Sequence, residues 1–358
     1  MTYRKFIYFY CFVFLLTHTA CRTEKAKTEI QLSVLNKVLL LDSLSASRTI
    51  VKDDLEHFFD NITLIDIMIQ MHKDYPLNTN RDSVVADYKK FIQTDVLDFT
   101  REEADYIAKI MAEAFELCQK AQFQHFPEEI KLIKTHGKHY GEDTYYTREN
   151  VIVIPKQALK KKDDDVCLKV ILHEISHIVT RFNPTLKTEL YAAIGFQKLS
   201  LPLMMNDSLR QRLLTNPDGH ELTWATQLTT ADGKNVQAIP LIYANETGYK
   251  KNKTAFFEYL GFNYFEIDST SDGQYLNVQT TGNQQKSTLN VIARDEATQG
   301  INDLFHQKLN TDYIIHPDEI VADNFSILMF SMKNPKSLEA YTEGGRQLLD
   351  TVKNVLNK

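Results

Sequence analysis

The segment His173-Glu174-Ile175-Ser176-His177 places two imidazoles four residues apart with a carboxylate directly after the first. On a helix, positions i and i+4 project from one face, so both rings can share a single ion with nitrogen–metal bonds of about 2.0–2.1 Å. The intervening carboxylate points beside that ion rather than at it. Glu174 is thus placed to take a proton from a water that the ion activates, the general-base chemistry of metal-assisted hydrolysis. Two solvent-facing histidines on an amphipathic helix are the plain alternative.

Two histidines do not complete a site, because a catalytic zinc takes three protein ligands and leaves one position for water. A metzincin-type sequence would carry a glycine and a third histidine just downstream, where this chain has Thr180 and Asn183, so that class is excluded. A better source of the third ligand is His316-Pro317-Asp318-Glu319-Ile320-Val321-Ala322-Asp323-Asn324-Phe325. Pro317 suits the first turn of a helix, and Val321, Phe325, Leu328, Met329 and Met332 form its apolar stripe. Glu319 and Asp323 then fall together on another face, where like charges at i and i+4 oppose the helix by roughly 0.2–0.5 kcal/mol if merely solvated. A metal reverses that balance if Glu319 binds it and Asp323 accepts a hydrogen bond from a ligating imidazole. Glu189, on the helix after Asn183-Pro184, is the second choice of ligand.

The Glu-x-x-x-Asp pattern after His-Glu-x-x-His resembles the gluzincins, the group of zinc metallopeptidases that includes thermolysin. The resemblance implies His173, His177 and Glu319 as zinc ligands, Glu174 as catalytic base and Asp323 as an outer partner of a ligating histidine. It also implies peptide-bond hydrolysis, with a peptide or protein as substrate. The third ligand follows the second by 142 positions (319 − 177), more than in thermolysin. Over residues 50 to 335 the chain is also similar to bacterial zincin-like lipoproteins. Two rivals stand beside a peptidase: a surface-anchored binding lipoprotein with a structural or inactive zinc site, and a zinc hydrolase of non-peptide amides. An oxyanion donor would come from His220, Tyr264, His306, Tyr313 or His316, which the sequence does not rank.

The elements that must position these groups are legible as patterns. Apolar residues recur at helical spacing over 53–72 and 82–122, the second run including Ile107, Ile110, Met111, Ala114, Phe115 and Cys118. Residues 129–135 and 144–154 read as strands, the latter closed by Pro155. Asp163-Asp164-Asp165 supplies capping for a helix over 164–182 that Asn183-Pro184 ends, with Leu168, Ile171, Leu172, Ile175, Ile178 and Val179 as its buried stripe. His173, Glu174, His177 and Arg181 share the adjacent face. A helix follows near 185–199, then a loop at Asn216-Pro217-Asp218-Gly219 and strand-like runs at 236–244, 254–267, 274–280 and 288–293. Phe256-Phe257-Glu258-Tyr259 reads as core and Trp224 carries no assignment; helical segments start at Pro317 and after Pro335. The expected fold is α+β and zincin-like: helices with a small mixed sheet, an edge strand near 145–154, and a long insertion at 185–310 walling the active-site cleft.

With 358 residues, 43% hydrophobic and 25% charged, the chain is long enough for a sizeable core, expected as one metallohydrolase domain over 51–358. A net charge of −6 without a basic patch excludes nucleic acid as an expected partner. Residues 1–20 read as a secretory signal: Arg4 and Lys5 precede an apolar run over Phe6–Leu16 that is too short to span a membrane. Leu15-Leu16-Thr17-His18-Thr19-Ala20-Cys21 resembles a bacterial lipoprotein cleavage site, although His18 stands where an aliphatic residue is usual. That resemblance implies Cys21 as a lipid anchor, a polar tether and lead-in over 21–50, and an exported, membrane-anchored lipoprotein of a bacterial cell envelope. Once Cys11 leaves with the signal, Cys118 and Cys167 are too few for a cysteine-based metal cluster.

Overall fold

The computed structural model describes residues 28–76, 79–229, 234–279 and 309–358. The signal-like segment, Cys21, the strand-like run at 288–293 and His306 lie outside the described residues.

The chain is α+β with two mixed sheets of six strands each, more sheet than the sequence pattern indicates. In the first, β1 (Glu29–Gln31), β2 (Lys37–Leu40), β4 (Glu129–Thr135), β6 (Val151–Pro155) and β5 (Tyr146–Arg148) lie side by side in that order. β3 (Val96–Leu97) continues the pairing along the end of β4. The β2, β4 and β6 strands run parallel, and β1, β3 and β5 are antiparallel to their neighbours. The expected single strand at 144–154 is therefore a hairpin, β5 then β6, with β5 on the edge. β4 and β6 are buried along nearly their whole length, as parallel strands covered by helices must be.

Helices α1 (Ser43–Thr49), α2 (Phe58–Asn61), α3 (Leu64–Met71), α4 (Arg81–Gln93) and α5 (Arg101–Lys120) occupy the first third. The runs at 53–72 and 82–122 are each broken in two, and caps explain both breaks. Thr63 accepts from Asp66 N to start α3, and Thr100 with Glu103 forms a reciprocal capping box that starts α5.

After α6 (Lys156–Lys161), α7 (Asp164–Phe182) follows the expected bounds, with the Asp163 side chain accepting Val166 N–H at 3.1 Å. All six residues of its predicted stripe are buried in the main core. Pro184 opens α8 (Pro184–Ala193), which is shorter than the run expected to 199. α9 is Asp207–Arg212, α10 is Pro317–Ser331, and α11 (Glu343–Leu356) follows a 3-10 turn at Pro335–Ala340.

The second sheet comes from the region expected as an insertion, in the order β7 (Phe196–Lys198), β9 (Trp224–Thr229), β10 (Asn235–Ala244), β11 (Leu260–Ser269), β12 (Leu276–Val278) and β8 (Leu203–Met204). Trp224, Leu228, Val236, Ala238 and Tyr264 of this sheet join the core that α7 and α10 share, and Trp224 packs edge-on against Tyr191 at 4.6 Å. Phe256 and Tyr259 are core as expected, whereas Phe257 is exposed. Cys118 and Cys167 are buried free thiols. Among the described residues no helix is long and apolar enough to cross a membrane.

Candidate metal centre

Helices α7 and α10 pack against each other and bring the two sequence motifs together. His173 Nε2 stands 3.1 Å from Glu319 Oε2, and His177 Nε2 stands 3.6 Å from the same oxygen. Two donors bound tetrahedrally to one ion at about 2.0–2.1 Å are themselves about 3.4 Å apart, so these separations suit ligands around a common point. The His173 and His177 rings are 4.7 Å apart at 77°, each edge turned toward Glu319. Asp323 Oδ1 lies 2.8 Å from His173 Nδ1, and Thr311 Oγ1 donates to the other Asp323 oxygen. Such a carboxylate fixes both the ring and the tautomer that leaves Nε2 free to bind.

Burial makes this cluster costly without a cation. His177 and Glu319 are each 1% exposed, yet neither ring nitrogen of His177 has a hydrogen-bond partner among the described residues. A separation of 3.6 Å is too long for a hydrogen bond. Glu174 Oε2 is likewise buried and unpartnered. Orphaned polar atoms of this kind are expensive unless something else satisfies them. The donor set of two imidazoles and one carboxylate fits a divalent ion, and His173, His177 and Glu319 can hold one.

The titration behaviour points the same way. Burial opposes charge on His173, but its hydrogen bonds with Asp323 and Glu319 outweigh that and hold the imidazolium well above the usual range. His177 is also raised, the nearby Glu319 and Asp218 charges overcoming burial. Glu319 is held well below the ordinary carboxylate range, since the two histidines more than offset its burial. Glu174 is pushed up to about 8 by burial first and by the neighbouring Asp218 charge second. A divalent cation nearby favours the ionised form of Glu174.

The loop Asn216-Pro217-Asp218-Gly219, read from sequence only as a loop, is part of the site. Asn216 Nδ2 donates to Glu319 Oε1 at 2.7 Å, and Asp218 offers a carboxylate oxygen in a second cluster with Glu174 and His177. Asp218 Oδ1 accepts Thr147 N–H at 2.5 Å and Thr147 Oγ1–H at 2.8 Å, which ties the loop to edge strand β5. Arg181, one turn beyond His177, donates to Thr147 Oγ1, Glu149 O and Asp218 O, and pairs with Glu56 at 2.6 Å. A Cβ at Gly219 would stand 1.9 Å from Asp318 Oδ2, so only glycine lets the loop approach α10 this closely. The side-chain partners of Asn216 and Asp218 lie 103 and 71 positions away in sequence, and no local pattern announces them.

The remaining candidates sort by position. Glu189 is on α8, away from the cluster, paired with Lys358 at 2.6 Å. Tyr264 donates to Ile314 O, His316 caps α10 by accepting Asp318 N–H, and His220 packs edge-on to Phe58. Tyr313 alone of the described candidates stacks on His173, with centroids 6.4 Å apart, and it remains 42% exposed. Comparison of the chain with protein-family models, with curated proteins and with solved structures finds no match.

Proposed function

We propose that the chain is a zinc-dependent hydrolase of the zincin type that cleaves peptide bonds. The observation that carries this reading is the convergence of His173 Nε2, His177 Nε2 and Glu319 Oε2, with the unpartnered Glu174 carboxylate buried beside them. His173, His177 and Glu319 would hold the ion, which supplies Lewis acidity to activate water and polarise a carbonyl. Asp323 orients His173. Glu174 takes the proton of the attacking water and passes it to the leaving amine. Tyr313, which stacks on His173, is the donor toward the oxygen that gains charge. The expected export and lipid anchorage through Cys21 belong to the same reading.

Asp218 favours one other reading, a closed structural centre, since a fourth protein ligand is what separates a structural from a catalytic site. Against it, Asp218 groups with Glu174 and His177 and not with His173 and Glu319, and a structural site has no use for Glu174. The deciding experiment measures zinc content, folding and chelator-sensitive cleavage of a mixed peptide pool for the protein, His173→Ala, His177→Ala, Glu319→Gln and Glu174→Gln. The first three variants should lose zinc and activity together. Glu174→Gln should keep zinc while losing turnover by about 10²–10⁴-fold. Full activity in Glu174→Gln would refute the mechanism, and full zinc with full activity in Glu319→Gln would refute the ligand set.

A further inference from the structure

We infer that Asn216 is a positioning residue that restricts Glu319 to single-oxygen ligation and so keeps a coordination position open for water. The inference rests on the metal reading above. A carboxylate can bind a cation through one oxygen or through both. At this site the two oxygens are already differentiated: Oε2 faces both histidines, and Oε1 accepts Asn216 Nδ2–H at 2.7 Å.

The orientation of the Asn216 amide is fixed by its surroundings. Its Oδ1 accepts Asp218 N–H at 3.2 Å, which turns the NH₂ toward Glu319 and excludes the flipped arrangement. The residue is 8% exposed, so water competes little for either group. The backbone beneath it is held on both sides. Thr215 N–H donates at 2.7 Å to Asp66, a fully buried carboxylate that also accepts Gln70 Nε2–H at 2.7 Å. On the other side Thr147 and Arg181 grip Asp218. Asp66 thereby ties α3 to the backbone of the loop that carries Asn216.

Without the amide donor, Oε1 would be a buried oxygen lacking a partner, and the cheapest new partner is the ion itself. Glu319 would then fill the position that water needs. This consequence distinguishes the role from plain packing, which would lower stability or affinity without changing the number of bound atoms.

The test is the coordination number, read by X-ray absorption of the zinc form and by visible absorption of the cobalt(II) form, for the full chain and for Asn216→Ala and Asn216→Leu. Leu keeps the side-chain volume and removes the donor. The unaltered protein should be four-coordinate, and both variants should rise to about five with one added oxygen ligand, together with loss of peptidase turnover. Variants that remain four-coordinate with one Glu319 oxygen bound would overturn the inference. Should neither variant fold, the unaltered protein still decides, because two Glu319 oxygens on its metal overturn the inference equally. Failure of the unaltered protein to bind one equivalent of zinc or cobalt is a different outcome; it removes the metal reading, and this inference with it.

Discussion

Metal binding at this centre should displace protons, and the number displaced follows from the groups around Glu319. A ligating imidazole must be neutral, yet His173 is held protonated well above the ordinary histidine range and His177 is raised as well. Glu174, near 8 in the metal-free protein, also gives up its proton when a cation stands beside it. Each folded-state value is raised, so each proton persists to higher pH and must be driven off; zinc affinity therefore rises with pH and is lost as pH falls. Between pH 6.5 and 7.5, displacement of two to three protons corresponds to about a hundred- to a thousandfold change in affinity per pH unit, about 2.7–4.1 kcal/mol. Two ordinary histidines near 6.5 would behave differently, since their slope falls toward zero by pH 7.5. Competition with a chelating dye across this window gives the slope, and calorimetry in two buffers of different ionisation enthalpy counts the protons directly. Glu174→Gln should lower the count by about one. A slope below about half a proton at pH 7.5 would refute the picture of a proton-filled cluster waiting for a cation.

Four further outcomes are expected. Asp323→Asn should weaken zinc affinity or activity by about 10–100-fold, by titration with a competing chelator, because it loosens His173 without removing a ligand. Glu189→Gln should keep one equivalent of zinc and change stability by no more than roughly 0–1 kcal/mol, since it breaks only an exposed pair with Lys358. Tyr313→Phe should keep zinc and lose turnover by about 10²–10³-fold if its phenol stabilises the oxyanion; unchanged turnover removes that role. Cys21→Ser should shift the protein from the membrane to the soluble fraction on cell fractionation, and an unaltered distribution with an unaltered N-terminus removes the anchor.

What the sequence discloses about this site is what local rules encode. Helix α7 could be bounded because Asp163 caps it, a six-residue apolar stripe runs along it and Asn183-Pro184 stops it; Pro317 marks the start of α10 in the same way. Strand β4 is likewise legible from the alternation of polar and apolar residues over 129–135. The breaks within 53–72 and 82–122 depend on caps, and one was available to reading: Thr100 followed three positions later by Glu103 is a capping-box signature inside an otherwise continuous helical pattern. The extent of the second sheet was not available. Its order β7-β9-β10-β11-β12-β8 joins segments through pairings that hydrophobic alternation cannot specify, since alternation gives a strand's face and not its neighbour.

Asn216 and Asp218 mark the boundary of such reading most clearly. Pro217 and Gly219 identify a loop, and the chain bends at 217–218, but Gly219 is needed for its close approach to Asp318 rather than for a positive φ. They say nothing about its target. The proposed ligands come from α7 and α10, which share one core, whereas the groups that contact Glu319 and flank Glu174 come from the loop leading into β9. Thr147 on the edge of the first sheet, Asp66 on α3 and Arg181 on α7 then fasten that loop from three directions. A helix pair with His-Glu-x-x-His and Glu-x-x-x-Asp can bring donors together, but it cannot by itself hold Glu319 to one oxygen or enclose Glu174. On the proposed reading those two properties separate a metal-binding helix pair from a centre able to turn over substrate, and both depend on the contacts of the 216–219 loop with α10, β5 and α7.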